Sequence, residues 1–181
     1  FLCGNLFGVF PPNLIISKSS SADFYPTGTS TYSIIIQNTG EITNNVILDD
    51  VLPAGVTYVP SSAMYTITDV SSSTTTAPIS AASPPNFIVA GDAITLDIDD
   101  YINLTFDVTV DAGTAVGATL TNIAETSSDE VSTVSDTVDD IVVPNPCTPT
   151  GPDGGVNPED DFDADGISNF CDLDDDNDGI L

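Results

Sequence analysis

Ten consecutive residues limit the fold more than any other feature of this chain. From Tyr101 to Val110 the apolar residues Ile102, Leu104, Phe106, Val108 and Val110 alternate with Tyr101, Asn103, Thr105, Asp107 and Thr109. A helix repeats every 3.6 residues and would scatter these side chains, whereas a strand repeats every two and sends one set into a core. Tyr32, Ile34 and Ile36 alternate likewise, as do Val46 and Leu48, and Ile94, Leu96 and Ile98. Turn formers separate the runs: Pro26-Thr27-Gly28, Asn38-Thr39-Gly40, Pro53-Ala54-Gly55, Ala90-Gly91-Asp92 and Asp111-Ala112-Gly113. Short strands at this spacing, with no helical period between them, predict an all-β sandwich. Ser71–Thr76 is expected to be a polar loop that opens a long excursion to Pro85.

Charge removes whole classes of function. The chain has 28 acidic residues against one cation, Lys18, and no histidine, for a net charge of −27. Without Arg or His there is no guanidinium clamp and no imidazole base or ligand. A polyanion finds no partner in nucleic acid phosphates, and an anionic membrane surface repels it. No stretch approaches the ~20 apolar residues of a membrane span. The acid doublets Asp99-Asp100 and Asp139-Asp140 are poor catalytic pairs, because neighbours on a strand point to opposite faces. The balance predicts a non-enzymatic structural or adhesive protein.

The acids crowd towards the C-terminus. Residues 144–158 form a linker rich in Pro and Gly, and residues 159–181 form an acidic tail. Within the tail Asp161-x-Asp163-x-Asp165-Gly166-Ile167 recurs as Asp174-x-Asp176-x-Asp178-Gly179-Ile180. Carboxylates at loop positions 1, 3 and 5 converge on one point, the glycine permits the bend, and position 7 offers its carbonyl. Asn169 and Asp172 stand at positions 9 and 12 of the first loop. Hard oxygen donors wrapped this tightly suit calcium. The expected ligands are therefore Asp161, Asp163, Asp165, Ile167, Asn169 and Asp172, then Asp174, Asp176, Asp178 and Ile180. The second loop lacks its position-12 ligand because the sequence stops at Leu181.

Two resemblances follow from these residues. Asn13–Lys18, Gly28–Ile34, Gln37-Asn38-Thr39-Gly40, the run Asp49–Val59 with its Asp-x-Leu-Pro-x-Gly-x-x-Tyr-Val pattern, and Leu120–Ala124 together resemble the conserved-repeat Ig-like domain of bacterial and archaeal surface proteins. That resemblance covers residues 13–143. It implies a seven- or eight-stranded sandwich used as a stalk or spacer. The tail is similar to the thrombospondin type 3 repeat, whose acidic loops wrap calcium ions with little other core; Cys171–Ile180 carries the likeness. The thirteen-residue offset leaves no room for the helices of an EF-hand.

Cys147 and Cys171 flank the first calcium loop. A disulfide between them would staple the tail's entry to its sites in an oxidising compartment; free buried thiols are the alternative. Cys3 is left over. Residues 1–12 are apolar on both faces of an extended strand, with Leu2, Leu6 and Phe10 on one side and Phe7 and Val9 among those on the other. These residues serve as a strand or plug on their own domain, as the remnant of a leader, or as a donor strand entering the next subunit, which would build a head-to-tail filament. Lys18 and Asn122 lie on strands that some Ig-like adhesin domains fuse covalently, with an acid nearby. The conserved-repeat family commonly has Lys there and the alternation does not bury it firmly, so the isopeptide bond stands as a second hypothesis, which intact mass would settle through the loss of one ammonia. The expected protein is secreted or held at the cell surface and associates with itself or with other surface proteins. The competing expectation is a glycan- or partner-binding adhesin module.

Overall fold

The computed structural model describes residues 10–21, 23–69, 73–78, 83–147, 161, 167–168 and 171–172. Ten strands occur among these residues: β1 Leu14–Ser20, β2 Thr29–Asn38, β3 Ile47–Val51, β4 Val56–Tyr58, β5 Met64–Asp69, β6 Ser73–Pro78, β7 Asn86–Ile88, β8 Tyr101–Val110, β9 Thr119–Ser127 and β10 Val134–Ile141. They form two antiparallel sheets. One has the order β1-β2-β8-β5-β6, with β4 also on β8; the other has the order β10-β9-β3-β7.

The core lies between the sheets and is supplied by the alternation seen in the sequence. On β8 Ile102, Leu104, Phe106, Val108 and Val110 are fully buried, and on β2 so are Tyr32, Ile34 and Ile36. The β2–β8 register sets Tyr32 opposite Phe106, Ile34 opposite Leu104 and Ile36 opposite Ile102. Leu48, Ile88, Leu120 and Ala124 face them from the second sheet. Phe106 is the centre of the aromatic packing, stacked on Phe87 at 4.5 Å and touching Tyr32 at 5.5 Å and Tyr58 at 6.2 Å between ring centroids. Each buried side chain of this size contributes about 1.5–3 kcal/mol of transfer free energy.

Two segments differ from the sequence expectation. Ser73–Pro78 is an edge strand paired along its length with β5, not a loop. Its Thr-rich composition suits a strand as well as a loop, and the partner that selects the strand is tertiary. The Ile94–Ile98 run is not a strand. Ile94 and Leu96 are buried and bond the backbone of Val46 and Thr43, but Ile98 is exposed. The alternation stops because Asp99 turns left-handed at φ 67° and the Asp100 carboxylate accepts the Asp97 N–H at 3.1 Å. The ten strands also exceed the seven or eight implied by the family resemblance.

The edge strands β1 and β10 meet side by side. The Lys18 N–H donates to Asp136 Oδ2 at 2.7 Å, Ser20 Oγ donates to Asp140 Oδ1 at 2.5 Å, and Phe24 pairs in parallel with Val142. The partners advance together along both strands, so β1 and β10 run in the same direction. The chain therefore enters at one end of the sandwich and leaves at the other. At the entry end the Pro11 carbonyl lies over Gly40 so closely that a Cβ there would sit 2.0 Å from it. At the exit end Asn145 Nδ2 reaches the Pro26 carbonyl at 3.5 Å.

Candidate functional site

The exit end leads to the acidic tail. Cys147 and Cys171 are joined by a disulfide with their Cα atoms 5.3 Å apart. The Ser168 N–H donates to the Cys147 carbonyl at 3.4 Å, while Cys171 and Asp172 both donate N–H groups to the Ser168 carbonyl. These bonds and the disulfide tie Ser168, Cys171 and Asp172 to Cys147. Asp161, position 1 of the first acidic loop, is 1% exposed. Of the expected ligands, Asp161, Ile167 and Asp172 are described. Asp163, Asp165, Asn169, Asp174, Asp176, Asp178 and Ile180 lie outside the described residues, as do Cys3 and the assembly residues Leu2, Leu6, Phe7 and Val9. Phe10 is described and is exposed.

The second polar feature is inside the sandwich. The Lys18 side chain points inward from β1, is fully buried and contacts Asp50 Oδ2 of β3. The alternation left the burial of Lys18 open, and the structure places it inside. Residues Leu14, Ile16 and Lys18 share one face of β1, and all three are buried. The lysine amine lies over the Tyr32 ring at 4.5 Å and the Phe106 ring at 5.5 Å from their centroids. Asn122 of β9, also fully buried, occupies the same face of the second sheet as Asp50, because Asp50 pairs with Ala124 and residue 122 is the diagonal neighbour. Its carboxamide lies beside the Asp50 carboxylate and the Tyr32 hydroxyl.

Electrostatics here is governed by loss of water. Burial pushes the Lys18 amine below its ordinary value, against the opposing pull of Asp50, Asp140 and Asp136. Burial raises the Asp50 carboxyl, against Lys18 and Asn122. Burial also raises the Tyr32 phenol, helped by Asp140. Both shifts in the Lys18–Asp50 pair favour its neutral form. The sequence held a signal for Asp50: the inward register of Val46 and Leu48 continues to it, placing an acid where a third apolar residue belongs.

Elsewhere the Asp139-Asp140 doublet is divided, while Asp99-Asp100 lies in the turn before β8 and not on a strand. Asp139 accepts from Thr121 Oγ1 at 2.6 Å and Asp140 from Ser20, on opposite faces of β10. An apolar cleft lined by Val51, Leu52, Tyr58, Ser83, Pro84 and Pro85 opens at the rim of the sandwich.

No family and no curated protein matches the chain by sequence. Solved structures do match it. The major pilin subunit BcpA of Bacillus cereus is 14% identical with a TM-score of 0.49, over 74% of this chain and 41% of the pilin. ACE19, the collagen-binding subdomain of the Enterococcus faecalis surface protein ACE, is 8% identical with a TM-score of 0.45, over 71% of this chain and 95% of that subdomain. Spo0M, a sporulation control protein of Bacillus subtilis, is 11% identical with a TM-score of 0.45, over 74% of this chain and 50% of Spo0M. The fold is an Ig-like β-sandwich. This chain spans half of Spo0M and less than half of the pilin.

Proposed function

We propose that this chain is a non-enzymatic structural module of the cell exterior, a stalk or filament unit with a calcium-stiffened tail. The observation that carries the reading is that β1 and β10 run side by side in the same direction, tied by side-chain hydrogen bonds and by the Phe24–Val142 bridge just beyond them, which sets entry and exit at opposite ends. A module threaded this way extends a chain lengthwise, and tension shears the two strands along each other instead of peeling them apart. The tail continues from the exit end, and calcium bound by its two acidic loops would turn a self-repelling polyanion into a rigid extension. The apolar N-terminal segment precedes the entry end, where Leu2, Leu6, Phe7, Val9 and Phe10 would enter the next subunit as a donor strand. Such contacts are heterologous and propagate into a filament. The disulfide supports an oxidising, extracellular setting. Among the described residues no helix is long and apolar enough to cross a membrane. The rim cleft at Val51, Leu52, Tyr58, Pro84 and Pro85 favours a second reading, in which the module binds a partner protein or glycan.

Electron microscopy of the purified protein with millimolar calcium and with chelator tests the first reading. Filaments or end-to-end chains are expected with calcium, and deletion of residues 1–12 should leave monomers. Particles indistinguishable in all three preparations would overturn it. A variant lacking residues 1–12 that kept its affinity for a surface partner would favour the second.

A further inference from the structure

Three side chains meet in the core with more hydrogen-bonding capacity than they use. Asp50 Oδ1, the Tyr32 hydroxyl, and both Oδ1 and Nδ2 of Asn122 are buried and make no hydrogen bond of normal geometry. Native cores satisfy nearly all such atoms, so this concentration needs a cause. The only cation of the chain is buried among them. An ion pair is a poor explanation by itself, because desolvating two charges offsets most of their attraction and gives no reason for a carboxamide beside them. An amine, a carboxyl and a carboxamide brought together away from water are, however, the complete set of reactants for an amide exchange.

We propose that Lys18 and Asn122 are joined by an intramolecular isopeptide bond that the folded domain makes itself, with Asp50 as the acid–base group. In the reaction the neutral Lys18 Nζ attacks Asn122 Cγ. The Asp50 carboxyl, in its protonated form, donates to Asn122 Oδ1 as negative charge develops there. Asp50 then carries one proton from Nζ to Nδ2, the Cγ–Nδ2 bond breaks, and Nδ2 leaves as ammonia. One N–C bond forms and one breaks, no electrons change hands, and no cofactor takes part. The rings of Tyr32 and Phe106 cover the amine, keeping water from solvating it or hydrolysing the intermediate. Burial supports the required protonation states, since it lowers the amine and raises the carboxyl. The product is a neutral secondary amide beside a neutral acid, so the core no longer holds a charge. The bond crosses between the sheets, from β1 in one to β9 in the other. It requires neither calcium nor assembly, so it stands or falls separately from the stalk reading.

The composition provides a direct test. Lys18 is the only residue of the chain after which trypsin can cut. The wild-type protein, reduced and fully denatured, should resist trypsin entirely, and its intact mass should fall short of the sequence mass by one ammonia. Digestion at acidic residues should release one branched peptide holding both Lys18 and Asn122. Asp50→Asn and Asn122→Ala should keep the full sequence mass and give two tryptic fragments after denaturation, whether or not they fold. Wild-type protein of full sequence mass that is cut at Lys18 would overturn the proposal. So would loss of water with the link mapped to Asp50. Loss of ammonia in Asp50→Asn would overturn the role of Asp50.

Discussion

Single residues in this protein differ sharply in what they hold together. Phe106 packs on Phe87, Tyr32 and Tyr58 and lies beneath the Lys18 amine, so one ring serves both the apolar core and the polar cluster. Phe106→Ala should cost about 3–5 kcal/mol, because three neighbouring rings cannot collapse into the space. Chemical denaturation reads this loss, and a change under 1 kcal/mol would contradict the packing described. The importance of Phe106 was legible in the sequence as the middle of a ten-residue alternation. That of Asn122 was not, since a polar residue between Thr121 and Ile123 looks like any other strand position until a second sheet covers it.

At the level of elements, the second sheet carries a built-in repulsion. Asp49 of β3 and Glu125 of β9 are directly opposed. Partial burial first, and Glu125 second, raise the Asp49 carboxyl above its ordinary value. A carboxyl whose folded value lies above its unfolded one costs stability as pH rises through that interval, and the cost persists at neutral pH. Glu125→Gln should therefore stabilise by about 0.2–1 kcal/mol at pH 7 in low salt, and by much less in acid, where protonation of Asp49 removes the repulsion. Thermal melts of the two proteins under both conditions check the sign; equal shifts at the two would show that the effect is not charge. The strands themselves were readable where alternation was long, as in β2 and β8. β6 was missed because Ser73–Pro78 has no apolar alternation, and its pairing with β5 decides its conformation.

For the whole molecule, topology decides how force travels. Tension applied at the two ends loads the parallel β1–β10 contact in shear. If Lys18 is bonded to Asn122, the residues between them lie outside the force path. Single-molecule pulling should then show an unfolding extension shorter by roughly 350 Å than an unlinked chain, at ~3.5 Å per residue. Asp50→Asn should recover that length, and wild type and variant extending equally would contradict the covalent tie.

The sequence alone determined that this chain is all-β, non-basic and divided into a sandwich and an acidic tail, because period-two alternation and charge are local properties written residue by residue. The partition of ten strands into two sheets, the parallel contact of the first and last, and the meeting of Lys18, Asp50 and Asn122 were decided by tertiary structure. Residues 18, 50 and 122 are far apart along the chain, and no local periodicity records which inward-facing residues of one sheet will face which of the other. Only the closing of the sandwich, by removing water from all three at once, gives those side chains a chemistry that none of them has alone.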